Sequence, residues 1–187
     1  LLQGRAAHSV HADHVALRAF VDSNGASGLA FFHDAFVAAG YAPQPDITIP
    51  SLPVNARWFE PPAQTGWPKI FCSELRTREL PPAASRIIYK HIDGYYDARG
   101  RVALGAALAA LRGGDGATLA ALLDEPPWRP SWEDVQLVRS LGQDAALRAA
   151  AEYASWTLTQ GHRVNHVAIL QNVLGLAHAG AVDLQSL

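Results

Sequence analysis

The chain has 187 residues, of which 49% are hydrophobic and 17% are charged, and this composition is enough for one compact globular domain with a core. A formal net charge of −2 excludes a strong electrostatic attraction to nucleic acid or to an anionic membrane, and no apolar run reaches the ~18 residues that a membrane span needs. The single cysteine, Cys72, cannot form an internal disulfide and no signal peptide is evident, so we expect a cytoplasmic protein.

The first predicted strand covers residues 13–21, where successive side chains lie on opposite faces of the strand. His14 and Arg18 then share one face. A turn-forming run of Asp, Ser, Asn and Gly ends the strand, and Ser27 is suited to cap a helix that continues to about residue 39. The chain is therefore predicted to begin with a strand followed by a helix.

Proline-rich segments precede and separate the next predicted strands, which cover residues 56–60 and 69–75. Residues 1–83 are therefore predicted to form a first unit of one strand, one helix and several strands. Residues 84–160 have a helical pattern and are predicted to be an insertion. The predicted helices of this insertion cover residues 104–111, 118–123 and 132–159.

Residues 161–187 are predicted to begin a second unit, with a strand at 164–170 and a helix at 171–179. The order of strand and helix thus repeats within one domain of the α+β class. Asp13-His14-Val15-Ala16-Leu17 begins the first unit, and Asn165-His166-Val167-Ala168-Ile169 begins the second. Such a match at equivalent positions indicates a structural repeat.

The repeat places His14 and His166 at equivalent positions on two strands. If the two units pack about a twofold axis, the two imidazoles converge, and histidine is a common ligand of zinc and iron. Two histidines and one carboxylate that leave other coordination positions of the metal open form the ligand set of non-haem Fe(II) sites that react with dioxygen. The alternative is that each histidine is a partly buried core residue with a hydrogen-bonded neighbour. For the pair, we favour one shared metal ion.

Arg18 lies four residues after His14, which on a strand corresponds to about 13 Å along one face. An inward-facing arginine in an apolar strand needs an anionic partner. A substrate carboxylate, bound through two hydrogen bonds, is one such partner. A structural ion pair with an acidic residue elsewhere in the fold is the other, and these residues alone do not decide between the two.

Other polar residues are weaker candidates. His162 precedes the second strand and is predicted to lie at the surface or behind the metal ligands, and His91 follows Lys90 near a glycine turn and is predicted to be exposed. Glu60 and Glu74 are the best carboxylates of the first unit, and ordinary ion pairing is expected for both. The sequence contains no phosphate-binding loop, no Rossmann glycine pattern and no nucleophile elbow.

Three segments carry a resemblance to a known family: Asp13–Phe20, which contains His-Val-Ala-Leu-Arg, Phe71–Leu75, and Asn165–Val167. Together they resemble the family once known only as a domain of unknown function, DUF1338, and now associated with 2-oxoadipate dioxygenase/decarboxylase, also called hydroxyglutarate synthase. The resemblance extends over most of the chain, including the helical insertion. It implies a vicinal-oxygen-chelate fold, as in glyoxalases and extradiol dioxygenases, built from βαβββ units.

The resemblance also implies roles for individual residues. His14 and His166 match two histidine ligands of Fe(II), and Arg18 matches an arginine that binds a substrate carboxylate. The third metal ligand of the family is a glutamate on a later strand. Because the chain contains no methionine and ends soon after its second unit begins, we expect residues to be missing from the sequence and this glutamate to lie beyond Leu187.

The implied activity is oxidative decarboxylation of a 2-oxo acid such as 2-oxoadipate, with Fe(II) as cofactor and dioxygen as the second substrate, giving a 2-hydroxy acid and carbon dioxide. A different divalent metal remains open as the cofactor. Two alternatives keep the fold: a glyoxalase-like isomerase or lyase that uses Zn, Ni or Mn, and a non-catalytic module that binds a small molecule. The retained histidine pair argues against the non-catalytic module.

Overall fold

The computed structural model describes residues 11–170, which contain one mixed β-sheet and a set of helices, so the predicted α+β class is confirmed. The strands are β1 (Ala12–Phe20), β2 (Ala42–Pro43), β3 (Ile47–Thr48), β4 (Val54–Glu60), β5 (Lys69–Leu75) and β6 (His166–Ile169). All four strands predicted from the sequence are present, and their ends differ from the prediction by one or two residues or not at all.

The strand order in the sheet is β2–β4–β5–β1–β6, with β3 also paired to β4. β1 is parallel to β5 and antiparallel to β6, whereas β4 is antiparallel to β5. Parallel neighbours require a crossover connection, and the chain between β1 and β5 supplies it with the helix α1 (Gly28–Ala38) and the strands β2 to β4. β1 therefore has a partner on both sides, and it carries both His14 and Arg18.

The start of α1 is anchored by side chains that accept hydrogen bonds from its free amides. Ser27 caps the helix as predicted, and its hydroxyl oxygen accepts from the Ala30 amide at 2.9 Å. The buried Glu74 carboxylate of β5 accepts from the Ser27 hydroxyl at 2.6 Å and from the Leu29 amide at 2.9 Å. Because an anion is favourable at a helix N-terminus, Glu74 fixes α1 to the sheet.

The segment between β5 and β6 is helical, as predicted, but the number and the ends of its helices differ from the prediction. Its helices are α2 (Pro82–Ile92), α3 (Gly100–Arg112), α4 (Ala117–Asp124), α5 (Trp132–Ser140) and α6 (Arg148–Gln160), joined by short 3-10 and π segments. The sequence prediction missed α2, and the single helix predicted over 132–159 is wrong. Asp144 lies within that range, and its carboxylate accepts from the Ala146 amide at 2.9 Å. This local hydrogen bond competes with helix formation, and α5 and α6 pack against each other across the break.

After these helices the chain returns to the sheet, where β6 pairs with β1. The division into units at residues 1–83, 84–160 and 161–187 stays a prediction, and its first boundary falls inside α2. The helix predicted at 171–179 lies outside the described residues. Between residues 11 and 170, the structure has no helix that is both long enough and apolar enough to cross a membrane.

His162 lies in the core, so its predicted surface position is wrong. Its Nε2 atom lies 3.0 Å from the Tyr96 hydroxyl oxygen. Five aromatic rings surround it at centroid distances of 5.0–5.7 Å: Phe31, Phe32, Tyr95, Tyr96 and Trp128. Burial lowers the pKa of His162 from its ordinary value of 6.5 to about 3. The imidazole is therefore neutral in the folded protein and acts as a large, mostly apolar core residue.

We predict that His162 makes the folded protein less stable in mild acid. Below pH 6.5 the unfolded chain binds a proton at His162 that the folded chain does not bind, because the folded pKa is about 3. Stability therefore falls as the pH falls from about 6.5 towards about 3, by up to about 1.4 kcal/mol per pH unit. Urea unfolding at a series of pH values should show this slope, and His162→Gln should reduce it.

The matched control is His11→Gln, because His11 is exposed. This variant should keep the pH dependence of the wild type, because the substitution leaves the buried His162 and its aromatic surroundings unchanged. A His162→Gln variant with the same pH slope as the wild type would show that His162 is not the source of the effect.

Candidate metal and substrate site

β1 and β6 bring the two copies of the repeated segment side by side. Val15 lies opposite Val167 at the centre of the antiparallel pairing. Each histidine lies opposite the alanine of the other copy, in the pairs His14–Ala168 and Ala16–His166. This register has local twofold symmetry, and the small alanine side chains leave space above the sheet for the two imidazole rings.

The rings of His14 and His166 lie next to each other across this pairing in a T-shaped, edge-on arrangement. Their centroids are 5.7 Å apart and their planes are inclined by 78°. A metal–nitrogen bond of about 2.0–2.1 Å places each ring centroid about 3 Å from the ion, so two rings can share one ion at centroid separations of up to about 6 Å. The observed separation lies within that range, so the two rings are close enough to share one ion.

The residue before each histidine fixes which ring nitrogen is available. His14 Nδ1 lies 2.8 Å from Oδ2 of Asp13, and His166 Nδ1 lies 2.9 Å from Oδ1 of Asn165. Both oxygens are acceptors, so each Nδ1 carries the proton and each Nε2 keeps its lone pair. Metal-binding histidines are typically oriented in this way by a carboxylate or carbonyl group. The Asp/Asn-His pair of the repeat therefore leaves the Nε2 lone pair of one imidazole available on each strand.

The electrostatics of the site also favour the neutral ligand form of one histidine. Partial desolvation lowers the pKa of His166, and the charges of His14 and Arg18 lower it further. With a lower pKa, a smaller fraction of the imidazole is protonated near neutral pH, so protons compete less with a metal for the ring nitrogen. Arg18 lies four residues after His14 on β1, so its side chain is on the histidine side of the sheet.

The histidine pair provides two nitrogen ligands, and a metal site of this kind needs at least one more ligand from the protein. No group of three or more His, Cys, Asp or Glu side chains within residues 11–170 is arranged to hold a metal ion. The glutamate expected beyond Leu187 stays a prediction. The donor set of two imidazoles suits Fe(II), Zn(II) or a related ion, and does not by itself distinguish between them.

Arg18 is held against α6. Its Nη1 atom lies 3.1 Å from both carboxylate oxygens of Glu152, and its guanidinium carbon lies 4.7 Å and 5.5 Å from the ring centroids of Tyr153 and Trp156. The Arg18 side chain is 19% exposed, whereas that of Glu152 is 59% exposed. Among the described residues, neither Nη2 nor Nε of Arg18 has a hydrogen-bond partner. The structural ion pair anticipated as one alternative is thus present, and it leaves one edge of the guanidinium for an anion.

A cavity of about 230 Å³ opens beside His14. Its other walls are the side chains of Ile47, Trp58, Lys69 and Phe71, which come from β3, β4 and β5. The Nζ atom of Lys69 lies 5.1 Å from the Trp58 ring centroid. The metal candidate therefore borders a space with apolar walls and one cation.

The weaker candidates have structural explanations. Glu74 pairs with neutral donors at the start of α1 and with the Asn55 amide at 2.8 Å, so the ion pair expected for it is not found within the described residues. His91 is only partly exposed, contrary to the prediction, and its Nε2 lies 2.8 Å from Oδ2 of Asp134. Cys72 is fully buried, and burial raises the pKa of its thiol. None of these three residues belongs to the histidine site.

The sequence prediction missed the residues that surround Arg18 and His14. Glu152 and Trp156 are four residues apart and share one face of α6, but the sequence does not show that this face meets β1. Lys69 lies opposite His14 in the pairing of β1 with β5. A βαβββ arrangement pairs its first and last strands, and that topology was the one signal that could have placed Lys69 beside His14.

Comparisons with known proteins identify one family. A model of the family described as 2-oxoadipate dioxygenase/decarboxylase matches residues 3–184. The chloroplastic/amyloplastic 2-oxoadipate dioxygenase/decarboxylase of Oryza sativa subsp. japonica is 33% identical over 168 residues, which is 84% of this chain and 39% of the relative. The chain thus spans about two fifths of the length of that relative.

Solved structures show the same fold. The hydroxyglutarate synthase of Oryza sativa, solved in complex with 2-oxoadipate, matches with a TM-score of 0.59 and 30% identity over 86% of this chain and 46% of the other. A glyoxalase superfamily protein from Ralstonia eutropha matches with a TM-score of 0.61 and 22% identity over 90% of this chain and 54% of the other. These likenesses confirm the glyoxalase-like fold expected from the sequence.

We predict that the histidine pair and its supporting residues control metal affinity in the full-length protein. Anaerobic titration with Fe(II) should show that His14→Ala and His166→Ala each abolish stoichiometric binding. Asp13→Ala should weaken binding by about 10- to 100-fold, because the residue that orients a metal-binding histidine has an effect of that size.

His33→Ala is the matched control, because His33 contacts Arg57 of β4 and lies outside the site. This variant should bind the metal like the wild type. Stoichiometric metal binding by His14→Ala would contradict the assignment of the histidine pair.

Proposed function

The chain belongs to the 2-oxoadipate dioxygenase/decarboxylase family, and from this premise we propose that it forms part of the active site of an Fe(II)-dependent dioxygenase/decarboxylase. The substrate is a 2-oxo acid such as 2-oxoadipate, and dioxygen is the second substrate. The products are a 2-hydroxy acid and carbon dioxide. The observation that carries this proposal is the pair of adjacent imidazoles, His14 and His166, whose Nδ1 atoms are both hydrogen-bonded to neighbouring oxygens.

Fe(II) is the proposed metal, held by Nε2 of His14 and of His166 and by the glutamate expected beyond Leu187. This set is the two-histidine, one-carboxylate arrangement that suits non-haem iron oxygenases. When bound, the iron supplies the one-electron chemistry that lets dioxygen react with an organic acid. Asp13 and Asn165 keep the two imidazoles in the tautomer that leaves Nε2 free.

Arg18 is the proposed binding residue for a substrate carboxylate. Glu152 holds one nitrogen of its guanidinium, and the rings of Tyr153 and Trp156 hold its plane. The remaining edge, Nη2 and Nε, presents two parallel N–H groups of the kind that bind a carboxylate bidentately. Because the guanidinium is already held in place, it does not have to be ordered when the substrate binds. It can therefore fix the orientation of the substrate.

The proposed reaction has a simple atom balance. The bond between the first carboxylate carbon and the keto carbon breaks, and that carboxylate leaves as carbon dioxide. One atom of dioxygen completes the new carboxylate at the former keto carbon, and the other becomes the hydroxyl oxygen on the adjacent carbon. Dioxygen is the oxidant throughout, so the reaction needs no further reductant.

The partners in this proposal are the small-molecule acid and dioxygen, and neither nucleic acid nor a membrane is included among them. The cytoplasmic location expected from the sequence stays a prediction.

We predict that the full-length protein, supplied with Fe(II) and 2-oxoadipate, consumes one dioxygen for each carbon dioxide released. An oxygen electrode and a carbon dioxide assay on the same sample measure this ratio. Conversion of a 2-oxo acid without oxygen uptake would contradict the proposal and would favour an isomerase or lyase of the same fold.

We further predict that Arg18→Lys raises the KM for 2-oxoadipate. Lysine keeps the charge but loses the bidentate geometry, and the loss of a hydrogen bond to a charged group costs about 1.5–3 kcal/mol, which corresponds to roughly 10- to 100-fold in KM. Steady-state oxygen uptake measures this change. Arg129→Lys is the matched control, because Arg129 forms an exposed ion pair with Glu125 and should be unaffected. An unchanged KM in Arg18→Lys would exclude Arg18 from substrate binding.

A further inference from the structure

A second cavity lies at the end of β1 that is remote from the histidine pair. Its volume is about 360 Å³, and its walls come from the turn after β1, from β4 and β5, and from α2. Six residues separate His14 from Phe20, the last residue of β1, which corresponds to about 20 Å along the strand. This cavity shares no wall residue with the one beside His14, and its size suits a small molecule.

Asp22, in the wall of this cavity, has one carboxylate oxygen without a partner. Its Oδ1 accepts hydrogen bonds from the backbone amides of Asn24 at 2.9 Å and Ala26 at 2.7 Å. Its Oδ2 has no hydrogen-bond partner within residues 11–170, although Asp22 is only 3% exposed. A buried carboxylate oxygen without a donor is costly, because it has lost its contact with water. Asp22 is therefore suited to accept from an ammonium group.

The other buried carboxylate of the wall already has its donors. Glu74 accepts from the Ser27 hydroxyl, the Leu29 amide and the Asn55 side-chain amide at 2.6–2.9 Å. These are neutral donors that fix the start of α1 and the neighbouring strand. Asp22 is thus the carboxylate of this cavity that is left to bind a ligand.

Two arginines contribute to the same wall, and only one of them is paired. Arg76 donates from Nε and Nη2 to the Glu79 carboxylate at 2.6 and 3.2 Å. Among the described residues, the guanidinium of Arg78 has neither a hydrogen-bond partner nor an ion-pair partner. Arg78 is exposed, so its side chain can turn towards a carboxylate in the cavity.

Tyr89 of α2 is the third polar group of the wall, and the structure shows no hydrogen bond of its hydroxyl within residues 11–170. Burial is the main cause that raises the pKa of this hydroxyl; the charges of Asp93 and Asp22 raise it further, and that of Arg78 lowers it. Asp22 and Arg78 are therefore both near Tyr89. The Tyr89 ring and Val21 add apolar surface to the cavity.

We propose that this cavity binds a small aliphatic α-amino acid, with its ammonium group on Asp22 and its carboxylate on Arg78. An unpaired acid and an unpaired arginine in one wall match a molecule that carries both charges, whereas a simple anion or a simple amine satisfies only one of them. The apolar surface of Val21 and Tyr89 suits a short aliphatic side chain. The site is separate from the histidine pair and does not rest on the proposed function.

Equilibrium dialysis of the metal-free full-length protein against radiolabelled L-valine tests this site in the absence of the reaction. L-valine should bind at one site per chain. Two competitors separate the two charges: isovalerate lacks the ammonium group, and isobutylamine lacks the carboxylate. Each should compete at least about 10-fold more weakly than unlabelled L-valine, because each loses the hydrogen bonds of one charged group.

Variants of the two charged residues locate the site. Asp22→Asn should weaken L-valine binding by about 10- to 100-fold and Arg78→Gln by about 10-fold. Arg86→Gln is the matched control, because Arg86 is an exposed arginine of α2 outside the cavity wall, and it should bind L-valine like the wild type. Thermal unfolding establishes that each variant is folded. Because Arg78 is exposed, its variant tests the site even if the buried Asp22→Asn does not fold.

Three results would overturn the proposal. They are the absence of L-valine binding by the wild type, competition by isovalerate or isobutylamine as strong as that by L-valine, and unchanged binding in Arg78→Gln. If Arg18→Lys weakens L-valine binding and Arg78→Gln does not, the amino acid binds near the histidine pair instead. Because neither metal nor 2-oxo acid is present, these results do not depend on whether the proposed reaction occurs.

Discussion

The antiparallel pairing of β1 with β6 is the constraint on which the candidate site depends. Strands with similar short sequences meet with Val15 opposite Val167, and this register places both histidines on one face with their ring centroids 5.7 Å apart. A shift by one residue would turn one histidine to the opposite face of the sheet, because side chains alternate along a strand. The residues before the histidines then set the tautomer through hydrogen bonds that are local to each strand.

The face of the sheet that carries the histidines also carries the groups suited to a substrate. Arg18 is fixed by α6 at one side, and Lys69 borders the cavity at the other. The opposite face is packed by α1, whose N-terminus is tied to β5 through the buried Glu74. One face of the sheet thus packs on α1, and the other packs on α6 near Arg18 and carries the two histidines.

The sequence predicted the strands, the cap of α1 and the histidine pair, because each depends on local patterns or on a repeat. The alternation of residues 13–21 was enough to place His14 and Arg18 on one face. It could not show which acidic residue meets Arg18, since Glu152 is 134 positions away along the chain. The core position of His162 was missed for a similar reason, because its burial results from aromatic side chains contributed by distant elements. The break between α5 and α6 was missed because Asp144 acts through a single local hydrogen bond within a segment of helical composition.

The central claim is that His14 and His166 ligate one metal ion through Nε2. Crystals of the full-length protein grown with Fe(II) without oxygen, measured by anomalous diffraction at the iron absorption edge, test it directly. The account predicts one peak about 2.0–2.2 Å from Nε2 of both histidines, with Asp13 and Asn165 still bonded to the Nδ1 atoms. A peak bound to only one of the two rings, bound through Nδ1, or located elsewhere in the fold would contradict it.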